Sequence, residues 1–141
     1  MLLLAPWAAA ALPAHRDEAT VEELKARLSS ASVRDRPSLC VEIAEKQLTE
    51  TDKLYSVSDV EKAQASLTDV VTYSEMARDY AIQSHKHQKQ AEIAVRGMAR
   101  KLTEILHSLG QDQQAPVKDA VTRLQRVRDD LLSSMFKKAS K

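Results

Sequence analysis

The stretch VEKAQASLTDVVTYSEMARDYAIQSHKHQKQAEIAVRGMARKLTEILHSL, Val60 to Leu109, decides how this chain folds. Followed from Val60 in alternating steps of three and four, it reads Val60, Ala63, Leu67, Val70, Ser74, Ala77, Ala81, Ser84, Gln88, Ala91, Val95, Met98, Leu102, Ile105 and Leu109. That is seven heptads without a skip, apolar at both ends and small or polar in the middle. Heptads sustained over this length indicate a long helix packed in coiled-coil fashion. Read as one continuous helix of about 50 residues, the segment is a rod of about 75 Å. The alternative is two helices with a bend near Ser84, which can itself act as an N-cap.

The flanks read as helices too. Thr20-Val21-Glu22-Glu23 has the form of a capping box, in which the threonine oxygen takes the amide of Glu23 and the glutamate reaches back. It predicts a short helix from Val21 to about Ser30. SSASVRDRP breaks it, and Asp35 is placed to cap a second helix with Pro37 in its first turn. Val41, Ala44, Leu48, Thr51 and Tyr55 carry that helix to about Tyr55. Ser58-Asp59-Val60-Glu61 has the form of a second capping box. Gly110 fits the position just after a helix end, and Pro116 suits the first turn of the next helix. That last helix is expected to reach about Phe136, followed by a frayed basic tail, KKASK.

Composition agrees. The chain has 141 residues with two glycines and no asparagine, and strong helix formers dominate. The fold class expected is all-α: an elongated antiparallel helical bundle or coiled-coil hairpin with one very long central helix. YSVSDVEKA, Tyr55 to Ala63, resembles the turn of a tetratricopeptide helical hairpin: Tyr55, Asp59, Val60 and Ala63 match, and Ser58 stands where that family has glycine. The resemblance covers about 30 residues and implies a helix-turn-helix. The family's closing proline is missing, and no second copy follows 34 residues on, so it implies no peptide-binding array. The whole chain also resembles small exported bacterial helical proteins of no assigned activity.

The opening MLLLAPWAAAALPAH gives an address. Leu2 to Leu12 is too short to span a bilayer as an ordinary helix and fits the apolar region of a secretory signal with an Ala-x-Ala cleavage zone. Residues 1–14 are therefore expected to be a signal peptide whose start is misassigned if the missing basic region lies upstream, and residues 15–141 one helical domain. An uncleaved apolar tail is the rival. Export to the periplasm or medium follows as an expectation, without stable transmembrane insertion. Cys40 is the single cysteine, so no intramolecular disulfide forms. Its setting in LCVEIA reads as a small buried hydrophobe.

Charge is uneven. His15–Ile82 carries 9 basic and 14 acidic residues, net −5, and Gln83–Lys141 carries 12 and 6, net +6. Either oppositely charged helices pack side by side, or the second half offers a basic face to an anionic polymer or nucleic acid. For the second reading the candidate anion-binding residues are Lys86, Lys89, Arg96, Arg100, Lys101, Arg123, Arg126 and Arg128.

SHKHQKQ, Ser84 to Gln90, asks whether His85 and His87 bind metal. Two residues apart on a helix is about 200° of rotation, so the rings diverge and cannot share an ion unless the helix breaks there. A solvated polar band is the main reading; His107 falls on the outer face. The polar middle of the seam, Ser74, Ser84 and Gln88, also serves to fix register or partner number. Tyr73, Met76 and Tyr80 form a second stripe, expected to pack on another helix. No Cys-x-x-Cys-His, no Gly-rich phosphate loop and no paired catalytic carboxylates occur. The sequence therefore points to a non-enzymatic protein with no cofactor and no small-molecule substrate. It would act through association with a protein partner or a second copy along the heptad seam. A basic scaffold for an anionic polymer and a metal- or haem-binding bundle are the alternatives.

Overall fold

The computed structural model describes residues 19–139, with side chains to residue 137. The expected leader lies outside the described residues. Five α-helices follow in order: α1 Val21–Ser30, α2 Arg36–Ser56, α3 Val60–Ser84, α4 Gln88–His107 and α5 Gln114–Ala139, the last preceded by a 3-10 turn, Gln111–Gln113. There is no strand among the described residues.

The helix ends show which local signals act. Thr20 completes its capping box: Oγ1 accepts from the Glu23 amide at 3.1 Å, and the Thr20 amide donates to Glu23 Oε1 at 2.8 Å. Asp35 precedes α2 but makes no side-chain cap; its carboxylate accepts from Ser32 Oγ at 3.1 Å instead. At α3 the cap is Asp59, which accepts from the Lys62 amide at 3.4 Å, and not the Ser58–Glu61 box expected from sequence. The helix-turn-helix implied at Tyr55–Ala63 is present. Ser58 takes the left-handed conformation, φ 63°, at the position where glycine is usual. Gly110 has φ −64° and begins the 3-10 turn; α4 is already closed at Ser108, so the glycine's freedom is not what ends it.

Cross-strut pairs fix the directions of the helices. α2 and α3 are antiparallel, tied by Gln47 Nε2 to Asp69 Oδ2 at 2.7 Å and by the hydroxyls of Thr51 and Ser66 at 2.7 Å. α4 and α5 are antiparallel, tied by Gln88 Nε2 to Ser134 Oγ at 2.9 Å and by Arg128 Nε to Glu92 Oε2 at 2.9 Å. These two hairpins lie side by side. α3 runs along α5 in the same direction, with Gln64–Val71 beside Pro116–Arg123. α2 runs along α4 in the same direction, with Pro37–Val41 beside His87–Ala91 and Glu45–Thr49 beside Ile93–Met98. α1 lies against α2, and its Lys25 reaches Asp69 of α3 at 3.3 Å.

The long rod is therefore folded back on itself. The segment expected to be one helix from Val60 to Leu109 ends α3 at Ser84 and restarts α4 at Gln88. His85 (φ 56°) and His87 (φ 65°) are both left-handed, and Ser84 Oγ accepts from the Lys86 amide at 3.3 Å within the turn. Ser84 thus closes the turn rather than capping α4. Packing explains the reversal. A straight rod would meet α2 with one half and α5 with the other. Folding back adds the α3–α5 and α2–α4 contacts, which bury Val71, Ala91 and Met98. A left-handed non-glycine residue costs about 1–2 kcal/mol, whereas a fully buried valine or methionine contributes about 1.5–3 kcal/mol.

Within the two hairpins the heptad holds. Every seam position from Val60 to Leu109 is buried or half-buried, and twelve carry it fully: Ala63, Leu67, Val70, Ser74, Ala77, Ala81, Gln88, Ala91, Val95, Met98, Leu102 and Ile105. Val117, Ala120, Leu124, Val127 and Leu131 of α5 complete the main core. A second cluster joins Leu24 and Leu28 of α1 to Cys40, Ile43 and Ala77, with Tyr73, Met76 and Tyr80 packed against it. Cys40 is fully buried, and burial pushes its thiol up to about 12 despite the nearby Arg36.

Candidate functional site

The eight candidate anion-binding residues separate into two groups. Arg96, Lys101, Arg123 and Arg128 form ion pairs at the bundle surface. Arg123 forks onto Glu75 of α3 (Nη2–Oε1 2.9 Å, Nε–Oε2 3.1 Å). Lys101 reaches Asp52 of α2 at 3.3 Å and Glu104 at 3.8 Å. Arg96 and Arg128 share Glu92. The other four, Lys86, Lys89, Arg100 and Arg126, are exposed and form no ion pair among the described residues. They are distributed over the turn, α4 and α5, and none lines the clefts described below. Of the paired four, Lys101 and Arg123 pair with acids of the first half and so hold helices to one another.

Glu92 is the residue that sequence reading missed. It is an acid in the basic half and lies almost fully inside, 3% exposed. Its carboxylate accepts from Arg96 at 2.6 and 3.2 Å and from Arg128 at 2.9 Å. The Arg96 hydrogen bonds, with help from Arg128, hold the carboxyl below the usual carboxylate range, against the opposing effect of burial. Its sequence signal was the i, i+4 spacing from Glu92 to Arg96. The arrangement locks α4 to α5.

The helix does break at SHKHQKQ, which was the condition for His85 and His87 to converge on an ion. Among the described residues, however, no three or more His, Cys, Asp and Glu side chains gather where they could hold a metal. Both rings are exposed at the turn, as is His107 on α4. No helix of the described residues is long and apolar enough to cross a membrane.

Two clefts follow one another along the groove between α2 and α4. Pro37, Val41 and Leu48 line one wall; Ala91, Ala94 and Met98 line the other. Ile93 stands at its edge, 49% exposed, one turn from Gly97. A Cβ added at Gly97 would meet nothing within 4 Å, so the helix surface is open there. Glu42 and Glu45 flank the α2 side, and burial together with the neighbouring Glu42 raises the Glu45 carboxyl. Lys89, Arg96 and Arg100 follow the outer side of α4 in steps of seven and four. Lys101–Asp52 bridges the two helices near one end. The seam pattern gave no hint of this groove, because Ile93 and Gly97 are off the heptad. An apolar residue on the outer face one turn before a glycine was the available signal. No protein-family model, no curated protein and no solved structure matches this chain.

Proposed function

We propose that this chain is an exported, non-enzymatic helical binding protein whose docking face is the α2–α4 groove. The observation that carries the reading is Ile93 beside the open helix surface at Gly97: a half-exposed large apolar side chain over a floor of Leu48, Ala94 and Met98. A half-exposed isoleucine at the edge of an interhelical groove offers an apolar anchor to a partner helix. The occupant that fits is an amphipathic helix of another protein. Its apolar stripe would enter the groove, with a basic flank toward Glu42 and Glu45 and an acidic flank toward Lys89 and Arg100. The heptad seam itself is used up in the bundle core, so association moves from the seam to this face. The apolar run Leu2–Leu12 supports action outside the cytoplasm.

A photoreactive residue at position 97 in cells that make the protein tests this. A crosslinked adduct of defined mass is expected, lost when Ile93→Asp is added and retained with Lys118→Asp on α5. Absence of an adduct, or an adduct indifferent to Ile93→Asp, would overturn the groove. Fractionation with N-terminal sequencing tests export; full-length protein in the cytoplasm would count against it.

A further inference from the structure

We propose that the His85–His87 turn is an exchange hinge. Through it two copies trade α4–α5 hairpins, and α3 and α4 fuse into one helix in each chain. Four observations converge on the turn. First, the 3-4 spacing passes through it in phase, Ala81, Ser84, Gln88, Ala91, so a helix drawn straight through residues 85–87 keeps both halves of the seam on one side. Second, nothing between Ser84 and Gln90 forbids helix: there is no glycine, proline or β-branched residue. Third, two of the three turn residues hold left-handed backbone that non-glycine side chains resist. Fourth, the start of α4 has no side-chain cap, so its first amides lack the partners that a continuous helix would give them.

Exchange leaves every other contact intact. The α1–α2–α3 unit of one chain receives the α4–α5 hairpin of the other and re-forms Glu75–Arg123, Arg78–Asp130 and the shared core between chains. The closed monomer avoids the entropy of association, while the exchanged dimer releases the turn on both chains. Short hinges under backbone strain favour exchange of this kind. The balance is set by residues 85 and 87, not by any surface patch, so this inference stands apart from the α2–α4 groove.

Two opposed variants of the full chain test it. His85→Gly/His87→Gly relaxes the left-handed backbone and weakens the fused helix. His85→Ala/His87→Ala makes the turn harder and the fused helix easier, with nearly the same loss of side chain. Each protein is unfolded, refolded over a wide range of concentration, and sized by chromatography with light scattering. A Glu75→Cys/Arg123→Cys pair joined by a short bis-maleimide reports whether α3 and α5 belong to one chain or two. Expected is a wild-type dimer that grows with refolding concentration and crosslinks between chains. The Ala pair should tighten it, and the Gly pair loosen it, by at least about tenfold in dissociation constant. Monomer throughout for wild type and the Ala pair overturns the proposal. So does a dimer whose crosslinks stay within each chain, which would be association through a surface, or Gly and Ala pairs that behave alike.

Discussion

Replacing Glu92 by Gln should destabilise the bundle by about 2 kcal/mol at neutral pH. The side chain keeps its volume and one acceptor oxygen but loses its charge. Hydrogen bonds to charged groups contribute about 1.5–3 kcal/mol each, and the Arg128 bond at 2.9 Å is the one that ties α4 to α5. The amide also turns an NH2 toward a guanidinium. Against this, a neutral group is cheaper to bury, which removes part of the loss. For a domain of this size the melting temperature should fall by about 4–10 °C. The effect has a pH signature. The Glu92 carboxyl is held below its usual range in the folded state, whereas in the unfolded chain it titrates near about 4.3. A lowered folded value gives stability that is fully present above the unfolded one and is lost as pH falls through the folded one. Urea unfolding of wild type and Glu92→Gln should therefore show a constant gap from neutral pH down to about 5, closing below about 4. Equal stability at pH 7, or a gap that persists undiminished in acid, would refute the assignment of Glu92 as the charged link between the two helices.

Other expectations follow from particular residues. Ser74 Oγ is fully buried and has no hydrogen-bond partner; Ser74→Ala should raise stability by about 1–2 kcal/mol, read from the urea midpoint at unchanged slope. Ser58→Gly relieves a left-handed residue in the α2–α3 turn and should gain about 0.5–1 kcal/mol by thermal melting, the gain being reduced by the freer unfolded chain. Leu67, at 4% exposed in the main core, should cost about 2–4 kcal/mol as Leu67→Ala by urea unfolding; a loss within error would mean that the seam is misplaced.

The helices were legible because their signals are local. Thr20 and Glu23 set the start of α1, and Pro37 marked the first turn of α2. The 3-4 spacing named twelve buried side chains of α3 and α4, since a helix face is fixed by spacing, but not Ser66, Val71, Glu92 and Ala99 beside it. The reversal at His85–His87 was not legible for the same reason. The spacing continues through it, and no glycine or proline lies between Ser84 and Gln90. What bends the chain is the gain from α3 meeting α5 and α2 meeting α4, a decision made by residues far away in sequence. The ion pairs of the basic candidates were hidden for a similar reason. Arg123 and Lys101 looked free because their acids, Glu75 and Asp52, lie 48 and 49 positions earlier. The groove depends on how two parallel helices sit, which no single-helix pattern reports.

The burial of Cys40 gives the protein a built-in clock. Its sulfur lies where α1 covers α2 and α3, among Leu24, Leu28, Ile43 and Ala77, and the thiolate that a labelling reagent needs scarcely forms there. Modification waits for an opening that uncovers the sulfur, either a lifting of α1 or unfolding of the whole bundle. The rate of trapping measures how often that opening occurs, and its insensitivity to low urea would assign it to α1 alone.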